Sequence, residues 1–135
     1  MRVAAAGLAA GLLWCTNAAA CGEGLGGGTR QLSDETMDLV FKTRPVVPIV
    51  GHHFVLDIAL CPRGKAAAPA TLRVDAHMPE HRHGMNYQPS VSRVGPGRYR
   101  AQGLMFHMPG RWELVFELRW ASGAVQRLTQ TLTID

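Results

Sequence analysis

Downstream of Met37, apolar residues recur at every second position. Leu39 and Phe41 alternate with Asp38, Val40 and Lys42, and Phe54, Leu56, Ile58 and Leu60 share a face that Asp57 does not. Leu72, Val74 and Ala76 are set against Thr71, Arg73 and Asp75. The longest case is Trp112, Leu114, Phe116, Leu118 and Trp120 against Glu113, Glu117 and Arg119. Leu128, Gln130, Leu132 and Ile134 then oppose Arg127, Thr129, Thr131 and Thr133. Side chains of a strand alternate between its two faces, so each run predicts a strand with one face on a core and the other in water. A shorter strand is expected around Tyr99, and the only hint of helix is a brief turn at residues 32–37.

Turn chemistry punctuates the runs: Arg44-Pro45, Cys61-Pro62-Arg63-Gly64, Val94-Gly95-Pro96-Gly97, Pro109-Gly110 and Ser122-Gly123. About seven short strands at this spacing predict an all-β fold, an immunoglobulin-like two-sheet sandwich over residues 37–135. A small barrel is the alternative. Neither an internal repeat nor a second domain is visible, and 135 residues suit a single core.

The N-terminus alters the picture. Arg2, an apolar run over residues 3–14 and the small residues Ala18-Ala19-Ala20 have the layout of a secretory signal peptide over residues 1–20. Cleavage after Ala20 is expected, and with it a periplasmic location. The run is too short to span a membrane. Lipid attachment at Cys21 is the rival outcome, and only that would bring the protein to a membrane. Gly22-Glu23-Gly24-Leu25-Gly26-Gly27-Gly28 follows, read with residues 21–36 as a flexible leader. Loss of Cys15 with the signal leaves Cys21 and Cys61, an even pair in an oxidising compartment and hence one expected disulfide. The net charge of +4 is ordinary and no Lys/Arg run marks a nucleic-acid surface, so nucleic acid is not an expected partner.

Chemistry concentrates in two short clusters. Four of the six histidines and four of the six methionines lie between Asp75 and Gly110. The first cluster, Met78-x-x-His81-x-His83-x-Met85, follows a strand and contains Pro79 and Gly84, which puts it on a loop. In extended backbone His81, His83 and Met85 project on one side. The second, Met105-x-His107-Met108, ends the Tyr99 strand just before a Pro-Gly turn, with Met105 and His107 on one side and Met108 on the other. Imidazole nitrogen with thioether sulfur suits copper, above all Cu(I). Zinc prefers Cys and His, calcium wants clustered carboxylates, and a blue-copper site needs a thiolate that a disulfide would remove. The expected copper ligands are His81, His83, Met85 and His107, with Met78 and Met108 behind them. His52-His53 is read as a surface doublet. No serine has nucleophile-elbow context and no acid pair is evident, so an enzyme is not expected.

These residues carry a family resemblance. Val74-Asp75-Ala76, Met78-Pro79, His83-Gly84-Met85, Gly97-Arg98-Tyr99 and the run from Phe106 to Leu114 resemble the YtkA-like domain from about Leu39 onward. The resemblance implies a small exported immunoglobulin-like sandwich associated with periplasmic copper handling. The expected function is therefore a periplasmic metallochaperone. It would hold Cu(I) or Cu(II) in a His/Met loop site and deliver it to a copper-accepting or copper-exporting periplasmic or membrane protein. The alternative is a metal-free accessory module docking on a membrane or redox complex, its methionines acting as adaptable contact surface.

Overall fold

A computed structural model describes residues 19–135. The expected signal peptide, residues 1–20, falls outside the described residues except for its last two positions.

Two antiparallel sheets pack face to face. The first contains β1 (Arg30–Ser33), β2 (Met37–Arg44), β3 (His53–Pro62), β6 (Ser90–Gly95) and β7 (Arg98–Met105), in the spatial order β1-β2-β3-β7-β6. The second contains β4 (Thr71–Met78), β5 (His83–Gly84), β8 (Gly110–Arg119) and β9 (Val125–Ile134), ordered β5-β4-β8-β9. The two-sheet sandwich is the expected architecture, with nine strands among the described residues rather than about seven.

The alternating faces explain the core. Met37, Leu39 and Phe41 of β2 and Phe54, Leu56, Ile58 and Leu60 of β3 face Leu72, Val74 and Ala76 of β4. Trp112, Leu114, Phe116 and Leu118 of β8 complete the layer, all buried. Burying each large apolar side chain contributes about 1.5–3 kcal/mol, the main force holding the sheets together. Phe41 and Phe116 meet across the layers with ring centroids 4.9 Å apart.

The two additional strands are short, and sequence periodicity cannot register so few residues. β1 replaces the helical turn expected at residues 32–37. Leu32 and Ser33 pair with Leu39 and Asp38. The Asp34 carboxylate then accepts the N–H groups of Thr36 at 2.7 Å and Met37 at 2.8 Å, closing a tight turn instead of a helix. Residues 21–36 are mostly exposed, but the segment is attached to the sandwich at several points. The Cys21–Cys61 disulfide, with Cα atoms 5.8 Å apart, pins the segment to the end of β3. Gly22 lies against β2 so closely that a β-carbon there would come within 2.5 Å of Val40 Cγ1. Val40 is consequently buried on the outer face of its sheet, where simple alternation would expose it.

One irregularity sets the phase of the site. Phe54 pairs with Leu104 but Leu56 pairs with Ala101, so β7 carries an extra residue, and Gly103 there adopts φ +84°. Such a bulge shifts the alternation of everything downstream. Leu104 and Phe106 therefore both enter the core, and the chain leaves Phe106 already turned toward the end of the sandwich.

Candidate metal centre

Residues 106–109 arch from the first sheet to the second over one end of the sandwich. Trp112, fully buried near the start of β8, holds the arch by donating its indole N–H to the Met108 carbonyl at 3.0 Å. The neighbouring β2–β3 connection is tied to it, since the Gly51 N–H donates to the Phe106 carbonyl at 2.8 Å. His107 stands on this arch with its ring centroid 5.2 Å from that of Trp112 and the planes nearly perpendicular, at 83°.

The other cluster approaches from β4. That strand ends at Met78, and the His81 N–H donates to the Met78 carbonyl at 3.2 Å, so residues 78–81 close a turn. Arg82 then adopts φ 54°, the left-handed region that costs a residue with a side chain about 1–2 kcal/mol. This reversal lets β5 fold back on its own strand, pairing Gly84 with His77 and His83 with Met78. The Met85 N–H donates to the Ala76 carbonyl at 3.2 Å. Glu80 is linked to Arg111 at 2.9 Å, fastening the turn to the start of β8.

The two clusters thereby meet. The rings of His83 and His107 have centroids 5.1 Å apart, and His83 also reaches Trp112 at 6.0 Å. Phe106 packs on Trp112 at 4.9 Å, so the floor beneath both imidazoles is aromatic and dry. His83 Nε2 and His107 Nδ1 are buried and have no hydrogen-bond partner. They are the only such side-chain atoms among the described residues. Buried polar atoms are normally satisfied, because each one left unpaired costs roughly 1–3 kcal/mol. Here two lie in adjacent rings.

The remaining expected ligands are distributed unevenly. Met85 and Met108 are half-buried and pack on the core cluster beside the two histidines in sequence. His81 is exposed; its ring lies 5.6 Å from that of His83 but not among the core residues. The left-handed Arg82 breaks the shared side that extended backbone would give His81, His83 and Met85. Met78 is a core residue, 1% exposed, whose methyl end reaches Gly110. Outside the pair, His77 lies 3.5 Å from Glu113, His53 packs on Tyr87 at 5.1 Å, and a His52 ring nitrogen lies 3.1 Å from the Val50 carbonyl.

The electrostatics are those of a neutral site. Glu80 and Glu113 are engaged with Arg111 and His77, and both cysteines of the described chain are in the disulfide. Among the described residues no three His, Cys, Asp or Glu side chains converge as a metal-binding group. Any ion held here would therefore rest on the imidazole pair and on thioethers. With bonds of about 2 Å from each imidazole nitrogen, two rings sharing one ion have centroids up to about 6.5 Å apart, which admits the observed spacing. Trp112 escaped the sequence reading as part of the site because its periodicity marked it as core. Its place four residues after Met108, just beyond the Pro109-Gly110 turn, was the available signal.

Comparison with known proteins identifies the fold and family. A family model described as YtkA-like matches residues 29–116. The chain is similar in fold to a solved DUF4426 family protein from Pseudomonas aeruginosa PAO1, with a TM-score of 0.54 at 12% identity. The match covers 79% of this chain and 94% of that one. No curated protein matches the chain.

Proposed function

The chain belongs to the YtkA-like family, and on that premise we propose that it is a periplasmic copper carrier whose cargo rests on His83 and His107. One observation carries the reading: two adjacent imidazoles each bury a ring nitrogen that nothing among the described residues satisfies. Met85 and Met108, beside the pair in sequence and half-buried against the core, would supply thioethers, a ligand type that suits copper and that zinc rarely takes. His81 stands outside, where it would meet an ion entering or leaving. Thioethers are weak neutral ligands and the arch is at the surface, so exchange with a partner would be rapid.

Delivery requires a docking face, and the same end of the molecule offers one. Residues 45–51 contain no charge, and Val46, Val47 and Ile49 are 53%, 71% and 57% exposed. Tyr87 is exposed beside His53. A copper-accepting or copper-exporting protein that covered these side chains would meet the arch that bears His107. The disulfide occupies the Cys21 sulfur that a lipid would need, which supports a soluble carrier over an anchored one.

The test is a titration of Cu(I) against a chromophoric chelator. About one equivalent should be retained, and the double substitution His83→Ala, His107→Ala should release it. Retention unchanged in that variant would remove the assignment. The apolar rim also favours a second reading, a metal-free docking module. That reading predicts no stoichiometric copper and a loss of partner affinity on Val47→Asp.

A further inference from the structure

We infer that the His83–His107 site discriminates by charge: it takes a soft monovalent cation, Cu(I), and rejects Cu(II) and Zn(II). The inference rests on the copper reading above and adds which oxidation state is the cargo.

Three features carry it. First, the donors are neutral. Two imidazoles and the thioethers of Met85 and Met108 bring no formal charge, and the disulfide leaves no free thiol among the described residues. Second, no cluster of anions is built in. Glu80 is paired with Arg111, Glu113 lies 3.5 Å from His77, and no carboxylates gather with the histidines among the described residues. Third, the surroundings have low polarity. Phe106 and Trp112 are fully buried beneath the rings, and Met78 fills the space behind the arch.

In such a place the charge of the ion decides. The cost of removing an ion from water scales with the square of its charge, so a divalent ion gives up about four times the hydration of a monovalent ion of similar size. Anionic ligands normally offset that loss for divalent metals, as thiolates and carboxylates do in zinc sites. Here nothing plays that part. Cu(I) has the smaller desolvation loss and finds the ligand softness it prefers. Loading therefore requires that copper arrive in the Cu(I) state.

The experiment measures the metal-free exported chain against Cu(I), Cu(II), Zn(II) and Ag(I), the last a soft monovalent ion with no redox chemistry under these conditions. Ascorbate, which spares the disulfide, maintains Cu(I). Binding of Ag(I) is followed by tryptophan emission, since both imidazoles touch Trp112. Cu(I) and Ag(I) should each bind at one equivalent, and the divalent ions about 1000-fold more weakly. The substitution Met85→Asp, which adds one anionic oxygen, should strengthen Zn(II) binding at least about tenfold and weaken Ag(I). Wild-type affinity for Cu(II) or Zn(II) within tenfold of Cu(I), lost on His107→Ala, would overturn charge discrimination while leaving the copper site in place. Failure of both copper ions to bind would remove the site, and this inference with it.

Discussion

The two ends of this sandwich treat polar groups in opposite ways. At the end where β2 begins, Asp38 accepts two hydrogen bonds from Arg63, at 2.7 and 3.0 Å, and another from Ser33 at 2.6 Å. Asp34 accepts from Thr36, Met37 and Gln126. The disulfide closes the same region. At the far end two imidazoles sit on an aromatic floor with a nitrogen each unanswered. One end ties Asp34 and Asp38 into hydrogen bonds beside the disulfide. The other leaves two buried ring nitrogens without a partner among the described residues, which native folds rarely do.

Four variants sharpen or break that contrast. The largest effect is expected from Trp112→Ala, which removes the fully buried floor and the bond to the Met108 carbonyl. Loss of about 3–5 kcal/mol in urea unfolding is expected, with copper retention lost as well. A loss below about 1 kcal/mol would mean that the indole does not organise this end.

Next in size is Gly110→Ala. Gly110 has φ 130°, a region that side-chain-bearing residues rarely adopt, and a β-carbon there would lie 2.6 Å from Met78 Cε. Strain together with displacement of the methionine should cost about 1–3 kcal/mol, measured by the same unfolding curves. A neutral result would show that Met78 moves freely and does not define the back of the site.

A smaller effect with a distinctive sign tests the orphaned nitrogens. In the metal-free protein, His83→Leu with His107→Leu removes two unpaired buried nitrogens without removing a side-chain hydrogen bond to another described residue. Stability should stay within about 1 kcal/mol of the parent or rise. A large loss would indicate that the histidines serve the fold, contrary to the comparison drawn here.

The smallest expected effect is a change in pH dependence at the opposite end. Hydrogen bonds from Arg63 and Ser33 hold the Asp38 carboxyl below its ordinary range. At Asp34 burial pushes upward but is outweighed by hydrogen bonds from Thr36 and Met37. Arg119 and Arg127 lower Glu117 likewise. A depressed carboxylate contributes stability above its unfolded pKa and loses it as the pH falls through the folded value. The parent should therefore weaken progressively below about pH 4. In Asp38→Asn the slope of that decline should be shallower, as seen in thermal midpoints from pH 5 to 2. Unaltered slopes would mean that the Asp38 pair contributes nothing in solution.

Much of the architecture was legible because strand alternation is local. The buried faces of β3, β4 and β8 correspond to the apolar series starting at Phe54, Leu72 and Trp112, since a period of two needs no knowledge of partners. β1 and β5 were not legible. Four residues and two residues carry too little periodicity, and both strands exist because a neighbouring edge offers hydrogen bonds. Val40 was misplaced for the same reason, as its cover comes from a leader whose attachment is made forty residues away through Cys61.

The amino-acid order by itself determined which residues face the core, where the chain turns, and that His and Met side chains crowd two short segments. Tertiary structure alone decided which of those side chains share a space. The bulge at Gly103 rephased β7, and left-handed Arg82 turned His83 inward and left His81 outside. Trp112 then became the floor that both imidazoles touch. Periodicity is a property of neighbours along the chain. Convergence depends on where two crossings of the sandwich end, and that follows from packing between segments distant in sequence.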